Sequence, residues 1–175
     1  MGSNGNLRPM ATSLEHRSAF TAPADAVYPT LVDEAFLTER LRSIGGKGAA
    51  LLAYDRVGES VEFTLRQGVE ASRLPGAVKA VLGGDLVVER EERWRSDGPR
   101  YAAVTRVSIA GTPAEIQGQA RLGDHGEGSL LVVRAQVRVG VPLVGGRLEK
   151  VVVEQVGKLL AAEAEFAESW LAERA

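Results

Sequence analysis

Two histidines, 23 aspartate and glutamate side chains, three tyrosines and no cysteine make up most of the chain's capacity for proton transfer. The absence of cysteine excludes thiolate nucleophiles, disulfides and cysteine metal sites. His125 sits in Gly123-Asp124-His125-Gly126-Glu127-Gly128, where Asp124, His125 and Glu127 could recruit a metal. Their spacing matches no metal-ligand motif, and the surrounding glycines read more simply as a hairpin turn. His16, in Glu15-His16-Arg17, fits a strand face better than a general base.

The acids Asp85, Glu89, Glu91, Glu92 and Glu115 raise the question of paired carboxylates. General acid/base work needs two carboxyl groups held in different environments. Strand alternation puts Glu89 and Glu91 with Val87 and Arg93, and Glu92 with Val88, Arg90 and Trp94, so neither side is a continuous acidic wall. Salt-paired outer strands are the simpler expectation, with a polar contribution to a cavity as the alternative. Tyr28 and Tyr101 are of interest because a hydroxyl in an apolar pocket orients a ligand carbonyl or hydroxyl. Tyr101 with Arg90 or Glu92 is the region in which to seek an acid and an oxyanion partner, although no catalytic residue is assigned. Gly140 to Arg147 could meet a phosphate at a helix end, but it carries neither a Walker pattern nor a dinucleotide glycine fingerprint. Close packing of the following helix explains Gly145 and Gly146 better.

The elements that would position these groups follow from hydrophobic period. Leu148, Val152, Val156, Leu159, Glu163, Phe166 and Trp170 recur at three- and four-residue steps, widened by Val151, Leu160, Ala167 and Leu171. This predicts one amphipathic helix over Gly145 to Ala175, long enough to cross the face of a sheet. Phe166 is expected to face that sheet. Upstream, Ser13 to Phe20 reads as a strand. A short helix then follows Thr21 or Ala22, with Pro23 in its first turn. A second is capped by Asp33, its Phe36, Leu37, Leu41 and Ile44 on one side and Glu39, Arg40 and Arg42 toward water. Gly45 and Gly46 end it.

Six more strands are predicted at 49–56, 60–70, 86–95, 101–109, 114–122 and 129–139. Val61, Phe63, Leu65, Gln67 and Val69 alternate with polar residues, as do Leu131, Val133, Ala135, Val137 and Val139. One apolar and one wet face mark an antiparallel sheet covered on one side. Residues 72–84 interrupt the pattern with a turn or short helix.

Length and composition suit one domain: 175 residues, 45% hydrophobic, with a formal charge of -2. Residues 1–12 read as a disordered leader and 13–175 as the domain. Mixed charge and sparse aromatics argue against nucleic acid. No run reaches transmembrane length and no secretory apolar region opens the chain, so no integral membrane association and a cytoplasmic location are the expectations.

Three stretches together carry a family resemblance: FTAPADAVYPTLVDEAFLTERLRSIGG at 20–46, the strand series, and VPLVGGRLEKVVVEQVGKLLAAEAEFAESWLAE at 141–173. They resemble the START and birch-pollen-allergen-like (SRPBCC) superfamily, and within it the family of unknown function DUF2505, found mainly in actinobacteria. The resemblance implies an α+β helix-grip fold: a curved seven-stranded antiparallel sheet wrapped around a long C-terminal helix, with two short helices after the first strand. It also implies an apolar cavity between sheet and helix, and relatives that are lipid and sterol carriers, polyketide cyclases or chaperone-associated modules.

The function expected is binding or carriage of a hydrophobic small molecule or lipid, without cofactor or metal. A cyclase or dehydratase on a hydrophobic carbonyl compound and a protein-interaction module with a filled cavity are the alternatives. Candidate pocket or adjacent core residues are Phe63, Leu65, Tyr101, Val133 and Val137 on the sheet and Val156, Leu159 and Leu160 on the helix. Either Val104 or Thr105 points inward, depending on register.

Overall fold

The computed structural model describes residues 11–175. The chain runs β1 (Thr12–Phe20), α1 (Ala24–Leu31), α2 (Glu34–Ile44), β2 (Ala50–Val57), β3 (Ser60–Val69), a 3-10 turn at Ala71–Arg73, α3 (Gly76–Leu82), β4 (Leu86–Asp97), β5 (Arg100–Ile109), β6 (Ala114–His125), β7 (Gly128–Val139) and α4 (Gly145–Glu173). Seven antiparallel strands form one sheet in the order β1-β7-β6-β5-β4-β3-β2. The first strand thus pairs with the last, and β1 and β2 are the edges. Most of the expected leader lies outside the described residues, and β1 opens at Thr12.

Alternation sets the two faces. Val61, Phe63, Leu65 and Gln67 of β3 are buried, as are Ala135, Val137 and Val139 of β7. The outer face is laced with exposed ion pairs, among them Arg134–Glu15 and Arg106–Glu115. Such solvated pairs contribute little stability each. Val104 is 54% exposed, which places Thr105 on the inner face.

Two buried clusters occupy the concave side. One joins α1 and α2 to β3, β4 and the far end of α4 through Val27, Phe36, Leu37, Leu65, Trp94 and Ala167. The other joins β1 and the ends of β5, β6 and β7 to the start of α4 through Leu14, Val107, Val137 and Leu148. α1 is capped from a distance: Pro23 stands at its N-cap, one residue before the helix, and Ala24 N donates to Asp124 Oδ1 at 2.8 Å. α2 uses its own Asp33, which accepts from Phe36 N at 2.9 Å. Its exit is tight. Gly46 has φ +81, and a Cβ there would lie 1.8 Å from Gly68 O, so both the conformation and the approach of α2 to β3 require glycine.

α4 runs 29 residues, about 43 Å at 1.5 Å per residue. Phe166 is half-buried rather than central to the sheet contact. Its ring packs 5.7 Å from Phe36 of α2 and 6.2 Å from Trp170, while Glu163 and Ala167 are the residues turned fully inward. Phe166 thus packs against the cluster that joins α2 to the sheet, with α2 covering its flank. No helix among the described residues is long and apolar enough to cross a membrane.

Candidate functional site

A cavity of about 460 Å³ lies under the middle of α4, bounded by the sheet, by α3 and by both buried clusters. Most of its wall is aliphatic: Leu14, Val88, Val107, Ile116 and Val133 from the sheet, Val78 and Val81 from α3, and Val152, Val156, Leu159 and Leu160 from α4. Between Glu149 and Glu163 no residue of α4 is buried, although the helix keeps its apolar stripe there. The helix is buried at two points, and between them its apolar side chains are half-buried over the cavity.

Both points are carboxylates. Near the start, Glu149 Oε1 accepts from Thr12 Oγ1 at 2.8 Å and Oε2 from Val139 N at 2.9 Å, tying α4 to both β1 and β7. Roughly 21 Å further along the axis, Glu163 accepts from Arg90 Nη1 at 2.9 and 3.1 Å. It also lies 3.3 Å from Arg40 Nη2. Arg90 in turn donates from Nε to Glu92 Oε1 at 2.6 Å, and Trp94 Nε1 donates to Glu92 Oε2 at 2.9 Å. Arg40, Arg90, Glu92 and Glu163 thus form a neutral quartet at the polar end of the cavity, contributed by α2, β4 and α4.

Burial alone would raise the Glu163 carboxyl, but Arg40, Arg90 and the nearby Gln67 hold it below its ordinary value. For Arg90, burial is outweighed by Glu163 and Glu92, which raise it. Arg40 is the less compensated of the two: burial lowers it, and Glu163 offsets only part of that loss. Both guanidinium groups stay protonated.

Two expectations change here. Arg40 was expected toward water and is 5% exposed. It sits on the same helical face as Phe36, Leu37, Leu41 and Ile44, four residues from the first and last of these, so that spacing is the signal that would have found it. Glu92 is buried and Arg90 faces inward beside it, its side chain 12% exposed, rather than joining the salt-paired outer strands. Charge was the misleading cue; Val88 and Trp94 on the same side of β4 were the informative one.

The expected pocket residues divide. Val133, Val156, Leu159 and Leu160 line the cavity, and Thr105 does so on β5. Phe63 and Leu65 lie in the packed cluster with Phe36, and Val137 in the other cluster. Tyr101 is remote from the quartet: it pairs across from Ser96, while Thr105 lies across from Glu92. Its ring stacks on Tyr28 at 4.0 Å and 10°. Burial and the neighbouring Tyr101 and Tyr54 raise the Tyr28 hydroxyl, with Arg56 opposing. These rings form a packed aromatic plug, so Tyr101 and Arg90 or Glu92 do not converge on one reacting centre. His16 lines the cavity on β1, and His125 closes the β6–β7 hairpin opposite Gly128, exposed.

A seven-stranded antiparallel sheet with a long C-terminal helix over a cavity is a fold this chain shares with solved structures, a START superfamily protein among them. Solved structures agree in fold. TTHA0849 from Thermus thermophilus superposes with a TM-score of 0.65 at 16% identity, covering 94% of this chain and 99% of that one. A START superfamily protein from Mycobacterium smegmatis gives 0.58 at 17%, covering 93% and 99%. Ara h 8.0201 gives 0.56 at 11%, covering 93% and 99%. The chain belongs to the family described as protein of unknown function (DUF2505), which matches residues 15–171. The uncharacterized protein Rv0481c of Mycobacterium tuberculosis is 33% identical over 118 residues, 64% of this chain. The match spans 66% of that relative's length.

Proposed function

We propose that the protein binds and carries a hydrophobic small molecule or lipid in the cavity under α4. The observation that supports this most is the apolar stretch of α4 between its two carboxylate anchors, which is only half-buried and faces the cavity. An amphipathic helix normally buries its stripe against the sheet, because each apolar side chain left accessible forgoes roughly 1.5–3 kcal/mol. Leaving that stripe half-buried makes sense if another apolar surface occupies the gap. A volume of about 460 Å³ falls within the range of roughly 300–1,000 Å³ typical of small-molecule sites.

Native mass spectrometry of protein purified without ligand stripping, followed by displacement of a neutral fluorophore with lipids, sterols and aromatic polyketides, tests the reading. A retained or displaceable apolar molecule is the expected result. Failure of every class to bind, with the free protein showing no retained mass, would reject it.

A further inference from the structure

Arg40 stands at the polar end of the cavity with its hydrogen bonding incomplete. Among the described residues, Nε and Nη2 of Arg40 are the only buried side-chain nitrogen or oxygen atoms without a hydrogen-bond partner. Glu163 is near enough to pair with Arg40 in charge, at 3.3 Å, but its oxygens are aimed at Arg90. The Phe36 ring, 5.8 Å from the guanidinium carbon, offers its face and no acceptor. Nε and Nη2 share one edge of the guanidinium plane, so their N–H bonds form a fork. Unpaired buried donors are costly and normally mark a missing partner.

On the reading of the cavity as a ligand site, we infer that its ligand carries a carbonyl oxygen, as in a ketone or ester, and that Arg40, which lines the cavity with Nε and Nη2 turned into the protein, rotates its guanidinium to bind this oxygen through them. The apolar wall then holds the body of the molecule and α2 supplies its polar end. A carbonyl oxygen has two lone pairs and no proton to place, which matches two free donors. The charge balance selects against a carboxylate. Arg40 and Arg90 already face Glu92 and Glu163, so an anion would add an unbalanced buried charge beside Glu163. A hydroxyl fits less well because its own proton needs an acceptor, and the Glu163 and Glu92 oxygens are engaged by Arg90 and Trp94.

The test compares dodecane, dodecanone, dodecanol and dodecanoate as competitors of N-phenylnaphthylamine, a neutral apolar fluorophore. Dodecane is the most apolar of the four, so transfer from water alone ranks it first. Dodecanone is expected to bind at least about tenfold tighter than dodecane, as one hydrogen bond to a charged donor implies, and tighter than dodecanol or dodecanoate. Arg40→Met is expected to retain dodecane and lose the preference for the ketone. Arg40→Lys, which keeps the charge beside Glu163 but not the fork, is expected to lose most of that preference.

Dodecane binding as tightly as dodecanone, dodecanol or dodecanoate binding tighter than it, or an unchanged ranking in folded Arg40→Met, would overturn the inference and leave apolar carriage standing. Binding of neither the fluorophore nor any competitor would remove both. The wild-type ranking decides the matter even if a variant does not fold.

Discussion

Arg40 and Glu163 each stand where helical spacing calls for an apolar side chain, and their burial follows from that spacing rather than from their charge. Glu163 was legible as a member of the α4 stripe; Arg40 was not, because an arginine among Glu39 and Arg42 reads as a solvated face until the neighbouring Phe36 and Leu37 are weighed. The energetic consequence belongs to the pair. Glu163→Gln takes the shared anion from two guanidinium groups, and removing one partner of such a network costs about 3–5 kcal/mol. The pH dependence has a definite sign. The Glu163 carboxyl is depressed in the folded protein, so its contribution is present above the unfolded value and lost as pH falls through the folded one. Urea unfolding near pH 7 and near pH 3 should therefore show a wide gap between wild type and Glu163→Gln that narrows in acid. A gap of constant size would contradict a depressed Glu163. The neighbouring aromatic gives a smaller effect: half-buried Phe166 truncated to alanine should lose about 1–3 kcal/mol, below the roughly 3–5 kcal/mol of a fully buried ring. Denaturant unfolding of Phe166→Ala measures this; a loss at the top of that range would mean the ring is a central contact after all.

Among the elements, α3 and α4 make the cavity, and they differ in how firmly they are held. The long period of α4 was readable over its whole length, as were the strand alternations that define the inner face. Its distance from the sheet was not, because periodicity tells which side of a helix is apolar and says nothing about what that side touches. Strand register had the same limit at Val104 and Thr105, where no sequence signal chose between them. α3 was visible only as an interruption in the strand pattern. None of its residues is buried, although Val78 and Val81 face the cavity and pack beside α4. A short helix with so little buried surface opens locally at low free energy. Amide hydrogen exchange should be faster in α3 than in β5 and β6, and binding of dodecanone should slow it by covering Val78 and Val81. Protection in α3 equal to that of the central strands, unchanged by ligand, would show that α3 is a fixed wall.

At the scale of the molecule, two packed clusters and two carboxylate anchors hold the fold around a gap, and Leu14 and Val107 belong both to a cluster and to the cavity wall. On the carrier reading, stability and binding are therefore coupled. A ligand that occupies the gap only in the folded state stabilises it by mass action, about 2.7 kcal/mol at a hundred times its Kd. For a chain of this size that corresponds to a rise in Tm of about 5–11 °C. Val156 offers the control. It is half-buried beside the second cluster and lines the cavity, so Val156→Phe grows into the cavity. The variant should fold with a Tm close to or above that of the empty wild type, and the rise produced by dodecanone should largely vanish. Differential scanning calorimetry with and without dodecanone measures both. If Val156→Phe unfolds well below the wild type, α4 is packed at that point rather than open to the cavity; if the ligand-dependent rise survives, the molecule binds somewhere other than beneath α4.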